Sequence, residues 1–227
     1  MIVSVHQPQY LPWLGYFHKI AHSDAFIVLD MVQYKHREFQ NRNKIRTDKG
    51  WLWLTVPVSV KQKRSQTVRE VRIDDQFPWR HDHWEGLKSC YSGAPWFAAH
   101  RAFFEQVYAR EWSLLIDCNV HIVRYLLEQF GITVPLYFES EIGSSSTGTG
   151  RIIELCKKLG ADTYLSGAGG RAYLEEEKFR EAEISLTYQQ FTHPVYRQQY
   201  GGAFVPYMSS VDLLFNEGPH AREALGR

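Results

Sequence analysis

The sequence predicts an α/β fold: a single domain over residues 1–227, with a mostly parallel sheet flanked by helices and an antiparallel and helical insertion near residues 51–130. Three observations carry the prediction. Ile2-Val3-Ser4-Val5 and Ala25-Phe26-Ile27-Val28-Leu29 are short, uncharged and rich in strand formers, the pattern of strands covered on both faces. The segment between them has room for one helix, so the pair reads as a βαβ unit with a right-handed crossover. Residues 112–130 place Leu114, Leu115, Cys118, Ile122, Tyr125 and Leu126 at spacings of three and four, the period of an amphipathic helix. Together these give a Rossmann-like arrangement.

The bulk properties agree. At 227 residues, with 44% hydrophobic and 22% charged content, the chain can bury a sizeable core. A net charge of +1 gives no bulk attraction to nucleic acid or to an anionic membrane. No run approaches the roughly 18 apolar residues of a membrane span, so no membrane insertion is expected. Cys90, Cys118 and Cys156 are far apart, an odd set without a C-x-x-C pair. With no signal peptide in view, they point to a reducing, cytoplasmic location and to packed thiols. Aromatic content of 15% suits rings that stack on sugars or bases, and equally a core of large side chains.

The first strand runs into His6-Gln7-Pro8-Gln9-Tyr10-Leu11-Pro12-Trp13-Leu14-Gly15-Tyr16-Phe17. Pro8 and Pro12 stiffen this loop and keep helix from forming before Pro12. Gly15 permits close approach of a backbone or a ligand. A short helix is expected from Tyr16 to His22. The second strand ends at Asp30. Residues 31–50 are polar and basic, with Gln33, Tyr34, Asn41 and Arg42 able to hold a hydroxyl-rich or anionic ligand. The same run also reads as a solvated face.

Residues 51–58 form a strand whose end is marked by Pro57. Residues 67–74 alternate as a half-exposed strand, and the two are expected to pair as a hairpin across a basic turn at 61–66. Helices are expected at 79–91, from 96 to at least 104, and at 112–130, the last stopped by Gly131. A short strand at 134–138 precedes a Ser/Gly loop and a helix at 151–159. Residues 161–167 are a strand entering the glycine loop Gly167-Ala168-Gly169-Gly170, and 184–189 a final strand.

Two strand-end loops therefore share the carboxyl edge of one sheet, where open α/β sheets bind ligands. His6, His18 and His193 are the general-base candidates, because imidazole titrates near neutral pH. Asp30 and Asp212 are placed to orient a histidine or hold a hydroxyl. Ser166, Gly167 and Gly169 offer backbone donors to a phosphate or carboxylate. The loop is neither a Walker A motif nor G-x-G-x-x-G, and no G-x-S-x-G elbow surrounds Ser166. His81 and His83 lack a convergent partner set, so no metal is predicted.

The run from His6 to Phe17, with Asp30, Gln33-Tyr34, Asn41-Arg42-Asn43, Tyr164-Leu165-Ser166-Gly167, Tyr188-Gln189, His193-Pro194-Val195-Tyr196 and Asp212-Leu213-Leu214-Phe215-Asn216, resembles the WbqC-like family over nearly the whole chain. The resemblance implies a setting in surface-polysaccharide or other sugar-linked biosynthesis. It adds Gln7, Tyr10, Gly15, Tyr16 and Tyr196 to the substrate-binding candidates, beside His18, Gln33, Tyr34, Asn41, Arg42 and Asp212. The order strand, Pro-rich loop, L-x-x-G, helix and apolar strand ending in Asp also resembles nucleotidyltransferase-like enzymes such as pantothenate synthetase. In those an H-x-G-H signature holds the ATP phosphates. Here the four positions are Trp13-Leu14-Gly15-Tyr16, without either histidine. The expected activity is a transferase or ligase acting on an amino or hydroxyl group of a sugar-type or carrier-bound metabolite. The alternatives are a nucleotide-activating enzyme and a non-catalytic sugar- or nucleotide-binding partner. The residues do not fix a cofactor; ATP and a nucleotide sugar are the two classes left open.

Overall fold

A computed structural model describes residues 1–59 and 66–225. Its elements, in chain order, are β1 (Ile2–His6), α1 (Leu14–Ala21), β2 (Ala25–Val28), β3 (Arg42–Thr47), β4 (Gly50–Thr55), β5 (Val58–Ser59), β6 (Arg72–Ile73), α2 (Trp79–Tyr91), α3 (Phe97–Ala109), α4 (Leu115–Gln129), β7 (Leu136–Phe138), α5 (Glu139–Ile142), α6 (Gly148–Lys158), β8 (Thr163–Ser166), α7 (Glu176–Glu181), β9 (Ser185–Tyr188) and α8 (Ser210–Glu217). The main sheet has the order β7-β2-β1-β8-β9, and every pairing in it is parallel. The chain starts at the centre, walks outward through β2 to β7, returns to the centre at β8 and ends at β9. The strand order therefore reverses between β1 and β8.

Alternation along the strands divides the core. Val3, Val5, Ala25 and Ile27 pack with Ile152, Leu155 and Cys156 of α6 and with Phe179 of α7 on one face. Phe26 and Val28 point the other way, against Tyr16, Phe17 and Ile20 of α1 and the large aromatic layer of α2, α3, α4 and α8. Phe17 meets Phe130 at 5.1 Å, edge to face. Both faces are thus covered, which is why β1 and β2 carry no charged residue before His6.

The antiparallel part departs from the sequence expectation. It begins at Arg42 rather than at residue 51. Residues 50–55 pair with β3 through a tight turn, Thr47 opposite Gly50, and not with residues 67–74. The inward faces explain it: Asn43, Ile45 and Leu54 are buried, while Arg42 and Lys44 lie outward over the Trp53 and Trp51 rings. A buried asparagine hides this alternation in a sequence that looks uniformly polar. Of the expected hairpin only Val58–Ser59 pairing with Arg72–Ile73 forms. A capping box between Thr67 and Glu70 closes Val68–Glu70 into a 3-10 turn, which leaves two extended residues. The basic turn, apart from Gln66, lies outside the described residues.

Two smaller differences bear on the site. Helix α1 starts two residues before the expected Tyr16, directly after Pro12 and Trp13. Gly15 is close to a neighbour, and that neighbour is the Trp13 indole: a Cβ at Gly15 would stand 2.2 Å from it. After β8 the glycine loop closes into a 3-10 helix, Ala168–Ala172. Gly170 is required there, because a Cβ would meet Ser166 Oγ at 2.0 Å.

Candidate functional site at the strand-order reversal

The carboxyl ends of β1 and β8 bound a cavity of about 230 Å³. Its lining includes His6 at the end of β1 and Gln7 after it, Lys19 from α1, Gly167, Gly169 and Gly170 after β8, and Tyr173. A parallel sheet has no side chains between diverging connections at such a reversal, so a crevice is left by topology alone.

His6 is half-buried at the crevice. Its Nδ1 lies 3.0 Å from the Gln7 carbonyl, an arrangement only Nδ1–H satisfies, so Nε2 carries the lone pair. The Tyr16 ring stands edge-on at 5.3 Å. Burial, reinforced by the Lys19 charge, lowers the imidazole to about 3. His6 is therefore neutral at physiological pH.

Lys19 is the residue that sequence reasoning missed. It is 3% exposed, although it is a lysine. Its ammonium donates to the Val5 carbonyl at 3.0 Å and lies 3.9 Å from where a Cβ on Gly167 would be. No carboxylate lines the cavity. Burial alone lowers Lys19 to about 7. In sequence it is one cation in an eight-residue helix, and its neighbours Phe17 and Ile20 were the only hint that it faces inward.

The other candidates fall into separate groups. His18 accepts a hydrogen bond from Gln189 Nε2 at 2.9 Å, and the same amide donates to the Gly15 carbonyl at 2.8 Å. His18 also stacks on His22 at 4.1 Å, and burial lowers it to about 4. Tyr16 is buried among Phe17, Phe26 and the His6 ring. Tyr10 is fully buried, bonded to His83 at 2.8 Å and to Tyr108 at 2.6 Å. It belongs to the helical layer and not to the crevice.

Asp30 lies just beyond β2 with no exposed surface. Its carboxylate accepts from Arg69 at 3.0 Å and from the Ser140 amide and hydroxyl at 2.9 and 2.6 Å. It anchors the start of α5 and orients no histidine. Gln33 forms a bridge to Thr67, and Tyr34 is buried, pushed up to about 12 by that burial. Asn41 is exchanged with Val56, giving and receiving bonds of 2.8 Å. The Arg42 guanidinium covers Trp53 at 4.3 Å. Ser166 is buried, its hydroxyl donating to the Gly167 carbonyl at 3.0 Å.

In the C-terminal stretch both nitrogens of His193 are engaged. Nδ1 faces the Pro194 carbonyl at 2.8 Å, and Nε2 accepts from the Tyr207 amide at 3.2 Å. Asp212 receives Tyr91 at 2.9 Å, Tyr196 at 2.7 Å and Gln198 at 2.7 Å. Burial pushes this carboxyl up, and the three donors oppose it. Asp212 thus ties α8 to α2 and to the loop before it.

A larger groove, of about 460 Å³, follows α4 and includes Arg69, Arg110, Asp117, His121, Arg124 and Glu141. Its charges are of both signs and its polar groups are mostly exposed, so it selects no one ligand chemistry. Among the described residues no group of three or more His, Cys, Asp or Glu could hold a metal ion, and no helix is long and apolar enough to cross a membrane.

A protein of Mycobacterium tuberculosis described as uncharacterized protein Rv1507c is 36% identical over 226 residues, covering 98% of this chain and 96% of the relative. No solved structure matches the chain. The sequence model of the WbqC-like protein family matches residues 7–224, from the second crevice residue to the final turn, and the chain belongs to that family.

Proposed function

We propose that the chain is a transferase or ligase acting on an amino or hydroxyl group of a sugar-type or carrier-bound metabolite, and that the crevice between β1 and β8 is its active site. One observation carries the reading: a neutral His6, its Nδ1 tied to the Gln7 carbonyl, lines a cavity at the strand-order reversal. In this reading the acceptor's N–H or O–H gives its proton to His6 Nε2 as its nitrogen or oxygen bonds to the electrophilic carbon or phosphorus of the donor, and the donor's nucleotide, phosphate or carrier group leaves with the electron pair of the bond that breaks. Gln7 and the Gly167–Gly170 turn hold the donor's phosphate or acyl oxygen. An imidazole lowered this far by burial is a weak base. Negative charge on a bound donor raises its basicity toward the useful range. His193 is the poorer base, because its lone pair already accepts from Tyr207. The setting in surface-polysaccharide biosynthesis, in the cytoplasm, follows from the family resemblance and the cysteine usage.

Thermal-shift measurements against nucleotide sugars, acyl carriers, CTP and ATP with Mg²⁺ test the reading, with His6→Gln assayed in parallel. A sugar-type or carrier ligand should stabilise the wild type. His6→Gln should keep that stabilisation and lose turnover by about 100-fold or more. A response confined to ATP with Mg²⁺ would move the assignment to nucleotide activation. Unimpaired complementation by a His6→Ala, His193→Ala double variant would leave a binding role without catalysis.

A further inference from the structure

The crevice contains a cation that the proposed chemistry has not yet used. An ammonium carries three N–H donors, and Lys19 gives one to the Val5 carbonyl. The group is 3% exposed, so bulk water does not serve the others freely. Buried lysines are normally paired with a carboxylate. The charged groups that could face this one are few. Tyr164 and Tyr173 line the cavity from β8 and the turn after it, His6 from β1, and none of the lining residues is acidic. His18 and His22, on the same helix, stack on each other.

The surroundings favour an anion. The space beside Nζ reaches Gly167: among the described residues, Nζ is the one neighbour that a Cβ there would have within 4 Å, at 3.9 Å. Gly169 has open space where its Cβ would be. The 230 Å³ volume admits a group of pyrophosphate size. Tyr173, 66% exposed, stands at the rim, where a ring can cover a sugar or base attached to that group.

Resting on the reading of the crevice as the substrate site, we propose that Lys19 is its oxyanion receptor: the ammonium binds the terminal phosphate or carboxylate of the substrate between the ends of β1 and β8, and the complex takes up a proton as it forms. The proton follows from linkage. The free amine is held near 7 by burial, whereas an adjacent anion restores the charged form. Above neutral pH the unliganded crevice is largely uncharged, and the liganded one is an ion pair. Affinity for the anion should therefore fall as pH rises through about 7 to 9.

Titration calorimetry of the full chain with inorganic pyrophosphate and with malonate tests this. The measurements are made near about pH 8 in two buffers of different ionisation enthalpy. Wild type should bind at least one of the two and take up close to one proton. Lys19→Met, which keeps the length of the chain without its charge, should weaken binding by about tenfold or more and abolish the uptake. Lys178→Met, on the exposed surface of α7, should change neither. Tighter pyrophosphate marks a phosphate donor and tighter malonate a carboxylate; both support the assignment. Equal affinity of wild type and Lys19→Met, binding without proton uptake, or no binding of either anion would overturn it. Should Lys19→Met fail to fold, carbon-13 resonances of the Lys19 side chain in the wild type give the same answer. Pyrophosphate or malonate must raise its titration midpoint, and an unmoved midpoint overturns the proposal. Loss of the anion effect with sugar-type stabilisation intact removes only this inference. An intact anion effect in a protein without turnover removes only the catalytic reading.

Discussion

At the scale of single residues, His6 shows how position sets chemistry. It closes a buried strand, so its imidazole is held neutral down to about pH 3. The unfolded chain takes up that proton near pH 6.5. Between the two values the unfolded state binds more protons, so stability falls as pH drops through 6.5 toward 3. His6→Gln should reduce the pH dependence of the unfolding free energy in that window by one proton, about 1.4 kcal/mol per pH unit. Urea titrations from about pH 4 to 6 measure it; an unchanged slope would show that His6 titrates normally. Other buried histidines, such as His83, keep part of the slope. His6 was legible because a histidine at the end of an apolar strand is conspicuous. Lys19 was not, since a lysine in a short helix reads as solvated until its ammonium is seen between the Val5 carbonyl and Gly167. Tyr10, Asn41, Tyr196 and Asp212 suggested a ligand by their donors and acceptors, and each has partners within the fold: Tyr10 bonds His83 and Tyr108, Asn41 Nδ2 donates to the Val56 carbonyl, and Tyr196 donates to Asp212.

At the scale of elements, the loop from β1 to α1 is held by the hairpin that the sequence concealed. Leu11 is fully buried and left-handed, with φ of 45°, a conformation that costs a non-glycine residue about 1–3 kcal/mol. Asn43 Nδ2 donates to its carbonyl at 2.7 Å, and the Tyr10 amide donates to the Phe39 carbonyl at 3.1 Å. Asn43→Ala removes the donor and leaves a buried carbonyl unpaired, which should lower stability by about 1–3 kcal/mol. A urea midpoint at the wild-type value would show that the strain is supported elsewhere. The parallel strands and long helices were readable because each obeys a single period. The β3–β4 pairing was not, because two cations stacked on tryptophans and one buried amide give a half-buried strand the look of a polar loop.

At the scale of the whole molecule, the sheet joins a near partner and a far one at β1. Ile2 donates to Asp24 on one side, while the amino terminus is paired with Asp162 on the other. Contacts of short sequence separation form first when loop closure dominates the barrier. Pulsed hydrogen exchange during refolding should protect β1 and β2 before β8 and β9; simultaneous protection would contradict this order. The reversal of strand order between β1 and β8 also bears on biogenesis. On the ribosome, β1 is made before β8 and keeps one edge unpaired until residues 163–166 have been made. Until then the nascent chain presents an unpaired mid-sheet edge, the kind of template on which chains aggregate. The seam that residues 163–166 close is the one lined by His6, Lys19 and the glycine turn, so a nascent chain that has not yet closed it has no crevice for a ligand to enter.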